Sequence, residues 1–136
     1  KDSWQLTYEE GRKVIESMRF AETSSLFGNE KDNSFKSTLG AIYQTFGGKD
    51  VYPTLEEKAA NLLYMLVKNH SFNDGNKRIA AALFIYFLER NNLLFDTNKI
   101  PIIDNNTLAA MTLMIALSKP EEKEIMCLLV LNMLNK

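Results

Sequence analysis

Apolar residues recur at helical spacing through most of the chain, and clusters of capping residues separate one run from the next. Thr7-Tyr8-Glu9-Glu10 has the Thr-x-x-Glu spacing in which both side chains satisfy free helix N–H groups, so a helix is expected to start there. It should carry Val14, Ile15, Met18 and Phe20 toward the core and break near Ser24 to Gly28, before a polar stretch from Asn29 to Lys36. The next helix is expected over Phe35 to Thr45. Gly47-Gly48-Lys49-Asp50 then separates Tyr43 and Phe46 from Val51 and Tyr52, a hairpin signal that predicts a short two-stranded flap. After Pro53, Thr54-Leu55-Glu56-Glu57 makes a second capping box. Leu55, Ala59, Leu62, Leu63, Leu66 and Val67 follow at helical spacing to an end near Asn69.

From Asn76 to Arg90 the sequence is apolar on every side, through Ile79, Ala80, Ala81, Ala82, Leu83, Phe84, Ile85, Phe87 and Leu88. A helix without a polar face has to lie inside others, which predicts that this one is central. Asn91-Asn92 closes it through left-handed backbone, Pro101 punctuates the following loop, and Thr107 to Leu117 offers another apolar helix. Ser118-Lys119-Pro120-Glu121 reads as a third capping box with an early proline, opening a last helix through Asn135. Met111, Met114 and Met126 read as core fillers. The expected class is all-α, a helical bundle with one short hairpin.

A length of 136 residues fits one domain, 1–136, and 46% hydrophobic against 24% charged residues is ordinary globular usage. Sixteen basic against seventeen acidic residues, a formal charge of -1, is not the footprint of a nucleic-acid binder, so direct nucleic-acid binding is not expected. The longest apolar run, Ile79 to Leu88, is far short of the about 20 residues that cross a bilayer, and no membrane association is expected. The single cysteine, Cys127, excludes an intrachain disulfide and reads as a small core residue in a reducing, cytoplasmic setting. Lys1 stands where a methionine would begin a chain, which reads as a piece cut from a longer one.

The densest polar group, His70-Ser71-Phe72-Asn73-Asp74-Gly75-Asn76-Lys77-Arg78, lies between two strongly apolar helices. A polar loop opening onto the N-terminus of a helix presents free N–H groups and the positive end of the dipole, and so attracts phosphate. Gly75 lets the backbone approach a ligand or take positive φ, and Lys77 and Arg78 add charge where an anion would sit. Asp74 is a hard oxygen ligand suited to sharing Mg²⁺ with a phosphate. His70, the only histidine, is the one side chain whose ordinary pKa suits a general base near neutrality. Each has a plainer role: His70 capping the preceding helix, Asp74 as N-cap of the next, Lys77 and Arg78 as a solvated helix start.

This nine-residue stretch resembles the signature of the Fic/Doc family, His-x-Phe-x-Asp/Glu-Gly-Asn-Gly-Arg-x-x-Arg in the Fic branch, with Asn-Lys-Arg common in the Doc branch. Phe46 to Ala60 resembles the flap and the helix before the motif in Doc-like members. The resemblance implies a Fic-type all-α bundle and an ATP-dependent transferase, using ATP or another nucleoside triphosphate with Mg²⁺, that modifies a Ser, Thr or Tyr hydroxyl of a target protein. By it, His70 is the catalytic base, Asp74 holds the metal, and the backbone of Gly75 and Asn76, with Lys77 and Arg78, binds phosphates. Phe72 anchors the loop, and a flap of Gly47, Gly48, Lys49, Asp50, Val51 and Tyr52 lays the target alongside as an added strand.

Two departures bear on the reaction. Lys77 replaces the glycine of Asn-Gly-Arg, and Ala81 occupies the place of the second arginine, which holds the γ-phosphate of ATP in AMP-transferring Fic proteins. Losing that bidentate partner leans toward Doc-like phosphoryl transfer, with AMP transfer open beside it. A catalytically silent nucleotide-binding regulatory module is the rival class. The family's inhibitory Ser/Thr-x-x-x-Glu-Gly/Asn pattern has a poor match in Ser118 and Glu122, followed by Lys123, so restraint is expected from an upstream region or a separate antitoxin-like protein.

Overall fold

The computed structural model describes residues 3–135. In chain order the elements are α1 (Tyr8–Arg19), α2 (Ser34–Ile42), β1 (Thr45–Phe46), β2 (Lys49–Asp50), α3 (Leu55–Asn69), α4 (Asn76–Arg90), α5 (Asn105–Leu117), a 3₁₀ turn (Pro120–Glu122) and α6 (Lys123–Leu134). The all-α bundle with one hairpin is therefore the fold of this chain. Among the described residues, no helix is long and apolar enough to cross a membrane.

Capping residues set the helix starts where the spacing put them. Thr7 accepts from the Glu10 N–H at 3.1 Å, and Thr54 and Glu57 close the reciprocal box that opens α3. α5 opens at Asn105, before the expected Thr107, because Asp104 caps it by accepting from the Thr107 N–H at 2.7 Å. The third box is displaced by one residue. Glu122, not Glu121, accepts from the Lys119 N–H at 2.7 Å, while the Ser118 hydroxyl turns back to the Ile115 carbonyl and closes α5 instead. Only Asn92 of the Asn91-Asn92 pair is left-handed, at φ 60°. α2 stops at Ile42, so Thr45 belongs to the hairpin rather than to the helix.

The hub is α3, not α4. α2, α4, α5 and α6 all pack on it, and its buried residues run almost unbroken from Lys58 to Leu66 and Val67. In α4, Ile79, Ala80, Leu83, Phe84, Phe87 and Leu88 are buried, whereas Ala81, Ala82 and Ile85 are only half-buried and face grooves beside α1 and α5. An all-apolar face made of alanines leaves room rather than demanding cover. Other apolar expectations also fail at the edges of the bundle. Phe20, one residue past α1, is fully exposed and Met114 is exposed. Cys127 is half-buried, its thiol donating to Asn61 Oδ1 at 3.7 Å, and burial pushes that thiol above its ordinary pKa.

Candidate active site

The polar stretch folds as one turn between the C-terminus of α3 and the N-terminus of α4. His70 is the C-cap of α3, with left-handed φ 47° and ψ 53° and an exposed side chain. Left-handed backbone is the usual way to stop a helix, and glycine is its usual occupant, so a histidine there carries strain. The capping reading of His70 is thus a statement about its backbone, and leaves its imidazole uncommitted.

The rest of the turn is held from below. Ser71 and Phe72 are buried, the Phe72 ring packs 5.3 Å from that of Phe35, and the Ser71 and Ser34 hydroxyls meet at 2.6 Å. Asn76 spends its side chain on the turn itself: its amide donates to the Phe72 carbonyl at 2.8 Å and accepts from the Phe72 N–H at 2.9 Å. This use of the side chain is compatible with the phosphate role expected of Gly75 and Asn76, which is one of their main chain. Gly75 has φ 89°, and a Cβ placed on it would overlap the ring of Phe27, so no other residue fits without displacing that ring.

A segment that periodicity does not reveal supports this turn. Residues 27–31 run alongside it as an irregular strand: the Gly28 N–H donates to the Asp74 carbonyl at 3.0 Å, the Asn73 N–H to Asn29 at 2.8 Å, and the Lys31 N–H to Ser71 at 2.9 Å. Two arginines of α1 tie the segment down. Arg12 donates to the Gly28 carbonyl at 2.8 Å, and Arg19 donates to the Phe27 carbonyl at 2.9 Å and to the Asn29 side chain. The apolar Phe27 and the glycine after it were the available signals, yet single bridges have no repeat to read.

Asp74 is not an N-cap. Gly75 takes that position and α4 opens without any side-chain cap, leaving its first N–H groups without a side-chain acceptor. The Asp74 carboxylate is about two-fifths exposed and sits 3.7 Å from the Arg78 guanidinium. Arg78 stacks 5.0 Å over the Phe27 ring and pairs with Glu22, a carboxylate just beyond α1 that no motif marks. Glu122 is elsewhere, engaged with Lys119. Lys77, Arg78 and Ala81 border a cleft of 390 Å³ between α4 and α5, whose far wall is Asn105, Leu108, Thr112 and Leu113. One wall end is cationic and the other apolar. Gly47, Gly48, Lys49, Asp50 and Val51 form the exposed hairpin, with Thr45 opposite Asp50 and Phe46 opposite Lys49, and Tyr52 half-buried behind it.

A helix–turn–helix of this kind on an α3-centred bundle, preceded by an exposed hairpin, is the architecture of a Fic-type domain. Residues 5–88 match the model of the Fic/DOC family, and the chain belongs to that family. A stretch of 49 residues is 49% identical to the protein named Toxin Doc of Mycolicibacterium smegmatis (strain ATCC 700084 / mc(2)155), covering 36% of this chain and 38% of that protein. The match thus spans well under half the length of that relative.

Proposed function

We propose that this chain is a Doc-like transferase that moves the γ-phosphoryl group of ATP to a Ser, Thr or Tyr hydroxyl of a target protein. The observation that carries the reading is the single pinned turn. It holds an uncommitted imidazole at one end and a carboxylate, two cations and an uncapped helix N-terminus at the other. His70 takes the proton of the target hydroxyl as its oxygen bonds to the γ-phosphorus, the bond to the bridging β–γ oxygen breaks, and ADP leaves. The N–H groups opening α4, with Lys77 and Arg78, bind the phosphate oxygens, and the cleft beside Ala81 receives the rest of the nucleotide. One partly exposed carboxylate beside a phosphate site suits Mg²⁺, which keeps several waters and shares its remaining positions with phosphates; it would neutralise charge on the transferred group. Ala81 beside the cleft favours phosphoryl over AMP transfer, because no second guanidinium stands there to hold a γ-phosphate away from the reacting position. The target strand lies along the hairpin edge, and restraint comes from a separate antitoxin-like protein in the cytoplasm.

Incubation with γ- and α-labelled ATP and a cell lysate tests the reading. Label from the γ position on protein is the expected result; α-label would replace phosphoryl by AMP transfer, and label from neither would leave a binding module. Asp74→Ala should remove the tightening of ATP binding by Mg²⁺, which isothermal titration with and without the cation measures. An unchanged Mg²⁺ dependence would take Asp74 out of the metal site.

Glu22 bears on the same chemistry. Its side chain is 18% exposed against 52% for Arg78, so it lies beneath the guanidinium and cancels charge that a phosphate would otherwise meet. Glu22→Gln should therefore tighten ATP binding about threefold to tenfold at low salt, with the gain shrinking as salt screens it. Weaker binding in this variant would make Glu22 a support for Arg78 rather than a competitor.

A further inference from the structure

Among the described residues, Lys58 is the one buried lysine, 6% exposed in the first turns of α3. A lysine is rarely buried without a partner, and this one has two. Its ammonium donates to the Asp50 carboxylate at 2.9 Å and to the Tyr52 carbonyl. Both acceptors lie on the outgoing limb of the hairpin.

That limb has little else to hold it. Residues 44–51 are all exposed, each strand is two residues long, and a hairpin of that size has marginal stability in water. Behind Val51 and Tyr52 lies a 470 Å³ cavity bordered by Asn61, Cys127 and Leu128, so the bundle does not pack the hairpin from the rear. Among the described residues, the two Lys58 contacts are the only hydrogen bonds or ion pairs from residues 45–52 to the helices. Lys58 lies in the first turns of α3 and His70 caps its C-terminus, so at about 1.5 Å per residue the rigid helix separates them by about 18 Å. A tether at one end of that helix fixes the hairpin edge relative to the imidazole at the other.

We propose that Lys58 is a positioning residue for the protein target. Its buried ion pair with Asp50 and its bond to Tyr52 set the hairpin edge at the height where an added target strand brings its hydroxyl to His70. This rests on the reading of the hairpin as the edge that docks the target. Lys58 touches neither nucleotide nor target, so its loss should change recognition of protein and not of ATP.

The test compares Lys58→Met, which keeps the buried volume, and Asp50→Asn, which lies outside the core and leaves folding of the bundle intact. Hydrogen exchange should show the hairpin amides, the Val51 N–H above all, exchanging about tenfold faster in both variants while α3 and α4 amides are unchanged. With γ- and α-labelled ATP and increasing lysate, the concentration giving half-maximal protein labelling should rise about tenfold in both variants, with the maximal rate and ATP affinity held. Lys58→Arg, if it restores the ion pair, should recover both readouts in part. Hairpin exchange equal to the parent's would overturn the tether. A fall in maximal rate with an unchanged half-maximal concentration would overturn the positioning role. If the parent itself labels no protein, the transferase reading fails, and with it the positioning role, while the exchange result still decides the tether.

Discussion

His70→Ala should lower transfer by roughly 10²-fold or more while leaving ATP binding and folding close to the parent's, as expected for losing a general base. The structure separates the two effects because the His70 side chain is exposed and forms no hydrogen bond or ion pair among the described residues, whereas the turn beyond it is fixed by Ser71, Phe72 and Asn76. The backbone sharpens the test. At φ 47° a non-glycine residue pays a steric penalty of about 1–2 kcal/mol, part of which glycine gives back through greater freedom in the unfolded chain. His70→Gly should therefore raise Tm by about 2–4 °C while transfer falls as far as in His70→Ala. Stability and activity moving in opposite directions at one position would show that the histidine is held there for chemistry. Transfer by either variant at the parent's rate would remove His70 from the mechanism.

The parts of this domain that announce themselves in sequence are those whose information is local. Thr7 and Thr54 cap helices within their own turn, and Gly47-Gly48 makes a hairpin with its immediate neighbours. The motif from His70 to Arg78 is legible for the same reason: the catalytic, metal and phosphate groups expected of it lie in one continuous turn. What supports the turn comes from far away. Glu22 reaches Arg78 across 56 positions, and Asn29 and Lys31 bind Asn73 and Ser71 of a turn far ahead of them through single bridges that leave no period. Hydropathy misplaced the centre of the bundle for a different reason. It scores Ala81 and Ala82 as apolar without registering that their small side chains leave grooves open, while α3, with charged residues in its pattern, buries even Lys58.

Gly75→Ala should be the most damaging single methyl group in the chain. At φ 89° an alanine is strained whatever space surrounds it, and here the added Cβ would overlap the Phe27 ring, which is itself fully buried. Phe27 cannot yield freely, because its carbonyl is held by Arg19, its neighbour Gly28 is hydrogen-bonded to Asp74, and Arg78 lies over its face. The strain and overlap together should cost about 2–4 kcal/mol, a fall in Tm of about 10 °C for a domain of this size. The structure can relieve the clash only by lifting the turn off residues 27–31, which would move Asp74 and the opening of α4 away from His70. Transfer should then fall at least as far as in His70→Ala, and, unlike that variant, ATP binding should fall with it. Adding Phe27→Leu to Gly75→Ala should recover part of the Tm, since a smaller side chain makes room for the Cβ, although the left-handed strain would remain. A Gly75→Ala variant with the parent's Tm and ATP affinity would mean that the turn is not pressed against Phe27 and that the support from residues 27–31 is dispensable.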